Sequence, residues 1–154
     1  MSDDAAPDVS AETSRPPVDV SAETSPSSPG APSGPRKLGA AKMGEVYGFS
    51  VDPDDVTGGY LEVTVDHLFG AIWTRPGLDV ASRRLATIGA IAAQGQHDLL
   101  DIQFGAALDR GELDEEQVRE LVIHLAHYVG WPLSTGAQAA AERAIAAHRK
   151  KQAP

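Results

Sequence analysis

An all-helical fold is the expectation from this sequence, and three observations predict it. From Leu61 onward apolar residues recur at steps of three and four, the period of one helix face. Asp79 and Asp114 stand where helix N-caps belong. Gly95, Gly111 and Gly130 stand where helices stop. No strand-turn-strand pattern competes with this reading, so the chain is expected to fold as a small antiparallel domain of about five to six helices.

Each element follows in order. Leu61, Val65, Leu68, Phe69 and Ile72 mark the first helix, although the β-branched run Val63, Thr64 and Val65 leans towards strand. Pro76 and Gly77 punctuate the chain in a turn, Arg75-Pro-Gly-Leu78. Asp79 then caps a helix running to about Gln94, with Leu85, Ile88 and Ile91 on one side. A third helix is expected from Asp98 to Arg110, ending at Gly111. Asp114 with Gln117 three residues later resembles a capping box for a fourth, Glu115 to Val129, closed by Gly130. Pro132 can open an Ala-rich fifth helix that continues to about His148. The short connections imply antiparallel neighbours.

The segment ahead of these helices has a different composition. Seven of the eleven prolines precede Arg36, and no aromatic residue occurs before Tyr47. Asp8-Val-Ser-Ala-Glu-Thr-Ser14 returns as Asp19-Val-Ser-Ala-Glu-Thr-Ser25, and a Pro, Ser and Gly-rich stretch follows. With few apolar groups to offset ordering entropy, residues 1–36 are expected to be a disordered tail. Residues 37–55 form a transitional segment whose Tyr47, Phe49 and Val51 could fold back onto a core, and residues 56–150 form the helical domain.

Composition excludes several function classes. The chain of 154 residues is 42% hydrophobic, which permits one modest packed domain. It has no cysteine, so thiolate metal sites, Cys nucleophiles and dithiol redox chemistry have no atoms to use. A net charge of -9 opposes binding to a phosphate backbone, so no nucleic-acid partner is expected. Met1-Ser-Asp-Asp-Ala-Ala-Pro7 lacks the basic and apolar regions of a secretion signal. No apolar run approaches the roughly 18 residues of a membrane span. A cytoplasmic location without a membrane partner is expected.

An ordered series of motifs carries a family resemblance. Leu68-Phe-Gly-Ala-Ile-Trp-Thr-Arg-Pro-Gly-Leu78 is followed by Arg83, by Ala106-Ala-Leu-Asp-Arg-Gly111, and by Glu120-Leu-Val-Ile-His-Leu-Ala-His-Tyr-Val-Gly-Trp-Pro132. Together they resemble carboxymuconolactone decarboxylase-like proteins, in the alkylhydroperoxidase-like (AhpD-like) superfamily. The resemblance implies an all-helical domain, a homo-oligomer such as a trimer or hexamer, and no obligatory metal or organic cofactor. The reaction it implies is decarboxylation of a small carboxylated lactone, in the breakdown of aromatic compounds. Two positions depart from the pattern. Gln103 stands where many relatives carry a His, and an amide does not titrate. The Cys-x-x-Cys of the peroxidase branch is absent, which removes its dithiol chemistry.

The fourth helix holds the residues best suited to proton transfer. At 100° per residue Val118, Leu121, Val122, Leu125 and Val129 share one face, while Glu120, His124 and His127 lie opposite. Glu120 and His124, four apart, are within reach of each other, so the carboxylate can orient the imidazole for general acid-base work. They are the expected catalytic pair. Arg83 and Arg75 flank the turn and suit bidentate anchoring of a carboxylate substrate. Tyr128 and Trp131 are the expected pocket edge. A metal reading of Glu120, His124 and His127 lacks a third ligand of defined geometry, so no metal is expected. His67, His97 and His148 have no evident constellation. The expected function is a lyase moving a proton next to a carbonyl or lactone in a small carboxylate. The alternative is a non-catalytic oligomeric binding or scaffold protein, which Gln103 favours.

Overall fold

The computed structural model describes residues 34–153, and these are helical throughout apart from turns and connections. The repeat at Asp8 and Asp19, and most of the segment expected to be disordered, lie outside the described residues. The described chain falls within one compact unit. Six helices follow in order: α1 Pro35–Tyr47, α2 Gly59–Val63, α3 Val80–Ala93, α4 His97–Asp109, α5 Glu115–Val129 and α6 Trp131–Gln152. A 3-10 turn, Pro53–Asp55, separates the first two, and α2 runs directly into a π-helical stretch, Thr64–Ile72.

The main core lies among α3 to α6. Ile88 of α3, Leu100 and Phe104 of α4, Val118 and Val122 of α5, and Ala137, Ala141 and Ile145 of α6 form one buried apolar cluster. The alanines explain the geometry: small side chains along α6 let it lie close to both α4 and α5. Asp79 and Asp114 cap α3 and α5 as expected, accepting from the backbone N–H groups of Ser82 and Gln117 at 2.7 and 2.8 Å. The Gln117 side chain returns the bond to the Asp114 N–H, completing the capping box.

The N-terminal side differs from the sequence reading in two ways. First, residues 35–47 form a regular helix, α1, which begins inside the segment expected to be disordered and takes up most of the transitional stretch. Its buried residues are Gly39, Ala40 and Val46, so it has no apolar stripe to announce it. A β-carbon on Gly39 would stand 2.0 Å from the Val65 carbonyl oxygen, and one on Gly70 would stand 2.9 Å from that of Pro35. Backbone therefore meets backbone where α1 crosses the π-helical stretch. Arg36 fastens this crossing with a two-pronged pair to Asp66, at 2.6 and 2.8 Å, and a bond to the Val56 carbonyl. Second, the stretch with β-branched Thr64 and Val65 is a wide helix, its end marked by the Trp73 N–H donating to Leu68 O five residues back. Val65 and Phe69 are buried there, whereas Leu68 and Ile72 stay partly exposed.

Tyr47 and Phe49 do fold back. Tyr47 meets the edge of Phe69 with ring centroids 5.2 Å apart and stacks on Phe49 at 5.6 Å. On α3 the buried stripe is Arg84, Ile88 and Ala92. Leu85, expected on the apolar side, is exposed, because the buried positions run at steps of four, Arg84, Ile88 and Ala92, rather than at the steps of three from Leu85 to Ile91.

Candidate functional site

Helix α5 presents two faces, as its spacing demands. Val118, Val122, Leu125 and Ala126 are buried against the core, and Glu120, His124, His127 and Tyr128 face outward. Tyr128 keeps 76% of its surface and Trp131, at the start of α6, keeps 73%. His124 lies against the Tyr128 ring with centroids 4.9 Å apart and planes tilted by 40°. His127 Nδ1 lies 2.9 Å from the Ile123 carbonyl oxygen. A carbonyl only accepts, so Nδ1 carries the proton and Nε2 is the outward nitrogen.

The structure brings some expected site residues together and separates others. His124, Tyr128 and Trp131 sit at or beside the outer face of α5, on the same end of the helix. Glu120 shares that face, but among the described residues the imidazole that holds a carboxylate is His148, at 2.7 Å from Asp109, and not His124. Arg83 serves the turn before α3: its Nε and Nη2 donate to the carbonyls of Leu78 and Arg75 at 3.1 and 2.9 Å. Arg75 is exposed at the other end of that turn. Beside Trp131, the α5–α6 connection frames an apolar groove of about 300 Å³ floored by Val122, Ile123 and Ala126 and edged by Ser134, Thr135 and Gln138.

A second polar centre was not singled out by the sequence reading. Arg84, 1% exposed, donates from Nη1 to the Val46 carbonyl at 2.6 Å and to Gln103 Oε1 at 2.8 Å, and from Nε to Glu112 at 2.5 Å. Glu112 also accepts from Arg110, which reaches Glu45 of α1. The cluster ties α1, α3, α4 and the α4–α5 loop together, and Gln103 is committed to it as an acceptor. The signal for it was present: Arg84 stands four residues before Ile88 and eight before Ala92, in phase with the buried side of α3.

Two of the remaining histidines also have partners. His97 Nε2 lies 3.1 Å from the Leu133 carbonyl oxygen, with its ring in the space that a β-carbon on Gly136 would fill. His148 joins Asp109 and Lys151 between α4 and α6. Asp109 is held below the ordinary carboxylate range by the Lys151 hydrogen bond first, with His148 adding to it.

Residues 59–143 match the carboxymuconolactone decarboxylase family, and this span contains the π-helical stretch, the turn, all of α3 to α5 and more than half of α6. The chain is similar to a 4-carboxymuconolactone decarboxylase of Acinetobacter baylyi, 35% identical over 74 residues, which is 48% of this chain and 54% of that protein. It is also similar to nitrosuccinic acid decarboxylase npaB of Metarhizium robertsii, 33% identical over 84 residues, 54% of this chain and 58% of that one. The chain thus spans a little over half the length of these curated relatives. No solved structure matches it. A match across more than half of the sequence, on the helices that build the core, places the chain in the carboxymuconolactone decarboxylase family.

Proposed function

We propose that the protein is a decarboxylase of small carboxylic acids, with its site on the outer face of α5. The observation that carries this reading is the contact of an exposed imidazole, His124, with the exposed Tyr128 ring, one helix end away from exposed Trp131, in a family whose two relatives named above are decarboxylases. Loss of carbon dioxide leaves an electron pair on carbon, which a neighbouring carbonyl or nitro group can delocalise and an acid must then protonate. His124 is the proton donor, and Glu120, one turn earlier on the same face, is placed to orient it. Arg83, which keeps guanidinium hydrogens beyond those it gives to the turn before α3, and Arg75 on the same turn would meet a substrate carboxylate where a second subunit brings that turn to the α5 face. Tyr128 and Trp131 supply the apolar wall.

An open helix face is too wet for this chemistry, since water screens the charges that must act on the carbanion. Closure by a second subunit would supply a drier pocket, and exposed Ile123, Tyr128 and Trp131 are the apolar surface such a contact would cover. A homo-oligomer, trimer or hexamer, working in the cytoplasm, is part of the proposal. The experiment is to measure turnover of 4-carboxymuconolactone and of nitrosuccinate, together with mass and melting temperature, for Glu120→Gln and His124→Asn. Because both side chains are exposed, melting should change little while kcat drops by roughly 10² to 10⁴. Wild-type turnover in an intact His124→Asn oligomer would remove His124 from the mechanism.

A second reading has its own support. Gln103 is fixed as an acceptor for Arg84, and no group at that position exchanges protons. A non-catalytic oligomeric binding protein on this scaffold is consistent with that, and the turnover of the unmodified chain distinguishes the two.

A further inference from the structure

A cleft of about 320 Å³ opens on the side of the molecule formed by α4, α6 and the loop after α1, and it uses none of the residues assigned above to the α5 face. Its size is at the lower end for small-molecule sites, enough for one six-membered ring and its substituents. One wall is the stacked pair Tyr47 and Phe49, with nearly half of Phe49 still exposed. That wall is held firmly: Gly48 turns the chain with φ 78°, and Gly44 lets the returning Phe49 carbonyl lie where a β-carbon would be 2.8 Å away. The opposite walls are small residues, Gly105 and Ala106 of α4 with Ala144 and Ala147 of α6.

Gly105 is the informative member. It lies inside α4, where glycine is less favourable than alanine, and no atom stands within 4 Å of the β-carbon it lacks. Packing therefore does not require a glycine there. What its absent side chain leaves is room in the cleft.

The rim states what kind of ligand fits. Asp101 has both oxygens occupied by Arg143, at 3.0 to 3.2 Å, and Asp109 has both occupied, by His148 and Lys151. Of roughly four lone-pair sites on each carboxylate, Asp101 has three engaged and Asp109 two, so fewer acceptors than donors stay open at the rim. Of five guanidinium hydrogens Arg143 engages the one on Nε and one on Nη2, leaving three, and Lys151 engages one of its three. The two cations are also more exposed than their partners: 53% against 34% for Arg143 and Asp101, and 64% against 30% for Lys151 and Asp109. Surplus donors at the mouth and an aromatic slot behind them call for a flat ring bearing an acceptor group.

We propose that this cleft is a binding site for a small planar ring carboxylate, its ring between Phe49 and the Gly105–Ala147 floor and its carboxylate at the Arg143 and Lys151 rim. The inference stands on this cleft alone and does not depend on the α5 face being catalytic. Benzoate is the probe, titrated into the full-length ¹⁵N-labelled chain, with benzylamine as a ring of the same shape and opposite charge. Benzoate should give saturable shifts at the amides of Gly48, Phe49, Gly105 and Ala147, and benzylamine should not. Gly105→Leu, which fills the cleft from α4, should weaken benzoate at least about tenfold, and Arg143→Gln should weaken it several-fold, as loss of a charged hydrogen bond does. Should Gly105→Leu fail to fold, Ala147→Leu fills the same space from α6 and is read in the same way. Shifts that do not saturate, shifts confined to α5, equal binding of benzylamine, or undiminished binding in a folded cleft-filling variant would each overturn the proposal.

Discussion

Arg84 carries a charge into a site 1% exposed, and it is tolerable there because a carboxylate and two neutral acceptors receive its donors. All buried side-chain polar atoms among the described residues have partners, so the cluster is closed. Opening it from the arginine side leaves the Val46 carbonyl and Gln103 without their donor and Glu112 with only Arg110. Arg84→Leu should therefore lose about 3 kcal/mol or more of stability in urea unfolding, and Arg84→Lys should recover only part, because an ammonium cannot reproduce the fork. A loss under about 1 kcal/mol for Arg84→Leu would mean the cluster is solvated, whatever its geometry. The same pair of neighbours shows what the sequence makes legible. Arg83 stood out beside the Arg-Pro-Gly-Leu turn, and the structure does put it on that turn, on backbone carbonyls. Arg84 was readable only from its phase with Ile88 and Ala92, and an arginine in an apolar stripe is easily taken for an exposed neighbour.

At the scale of elements, α3 to α6 were legible, and the starts of α3 and α5 most sharply, because those two carry capping side chains. α3 and α5 begin at Asp79 and Asp114 as their spacing implies, since a capping side chain and an apolar period are local facts. α1 was not legible because its contact is made by absent side chains, and a glycine records a close approach only once its neighbour is known. The stretch Thr64–Ile72 was legible as a helix but not as a wide one, and the backbone approach of Gly39 to Val65 within it was not legible either. A direct comparison tests this. Gly39→Ala puts a methyl group 2.0 Å from the Val65 carbonyl oxygen, so α1 must shift, at a cost of roughly 1–3 kcal/mol. Gly105→Ala has open space around it and should stabilise by up to about 1 kcal/mol. Hydrogen exchange should show α1 amides opening faster in Gly39→Ala and unchanged in Gly105→Ala; equal stability of the two variants would contradict the crossing.

For the whole molecule, the decisive charges lie between helices rather than along them. Asp66 pairs with Arg36 across α1 and the π-helical stretch, Asp109 with Lys151 and His148 across α4 and α6, and Glu115 and Glu142 with Arg149 and Arg119 across α5 and α6. In each case the hydrogen bond from the cationic partner holds the carboxyl below its ordinary range, Arg36 for Asp66, Lys151 for Asp109, Arg149 for Glu115 and Arg119 for Glu142. A carboxyl whose folded pKa is depressed contributes stability that is present above its unfolded value, near about 4, and is lost as pH falls through the folded value. The melting temperature should therefore hold from neutral pH down to about 4.5 and decline below it. These carboxylates are about a third to a half exposed, so solvent screening keeps each contribution small, the decline should be gradual, and salt should shrink it. Glu115→Gln removes the carboxylate that Arg149 and Arg119 share. It should lower the melting temperature slightly at pH 7 and leave it closer to wild type at pH 3, where the native carboxyl is becoming protonated. Thermal melts of both proteins across this range check the sign, and a wild-type melting temperature that rises as pH falls from 5 to 3 would show that relief of the net negative charge of -9 outweighs the inter-helix pairs.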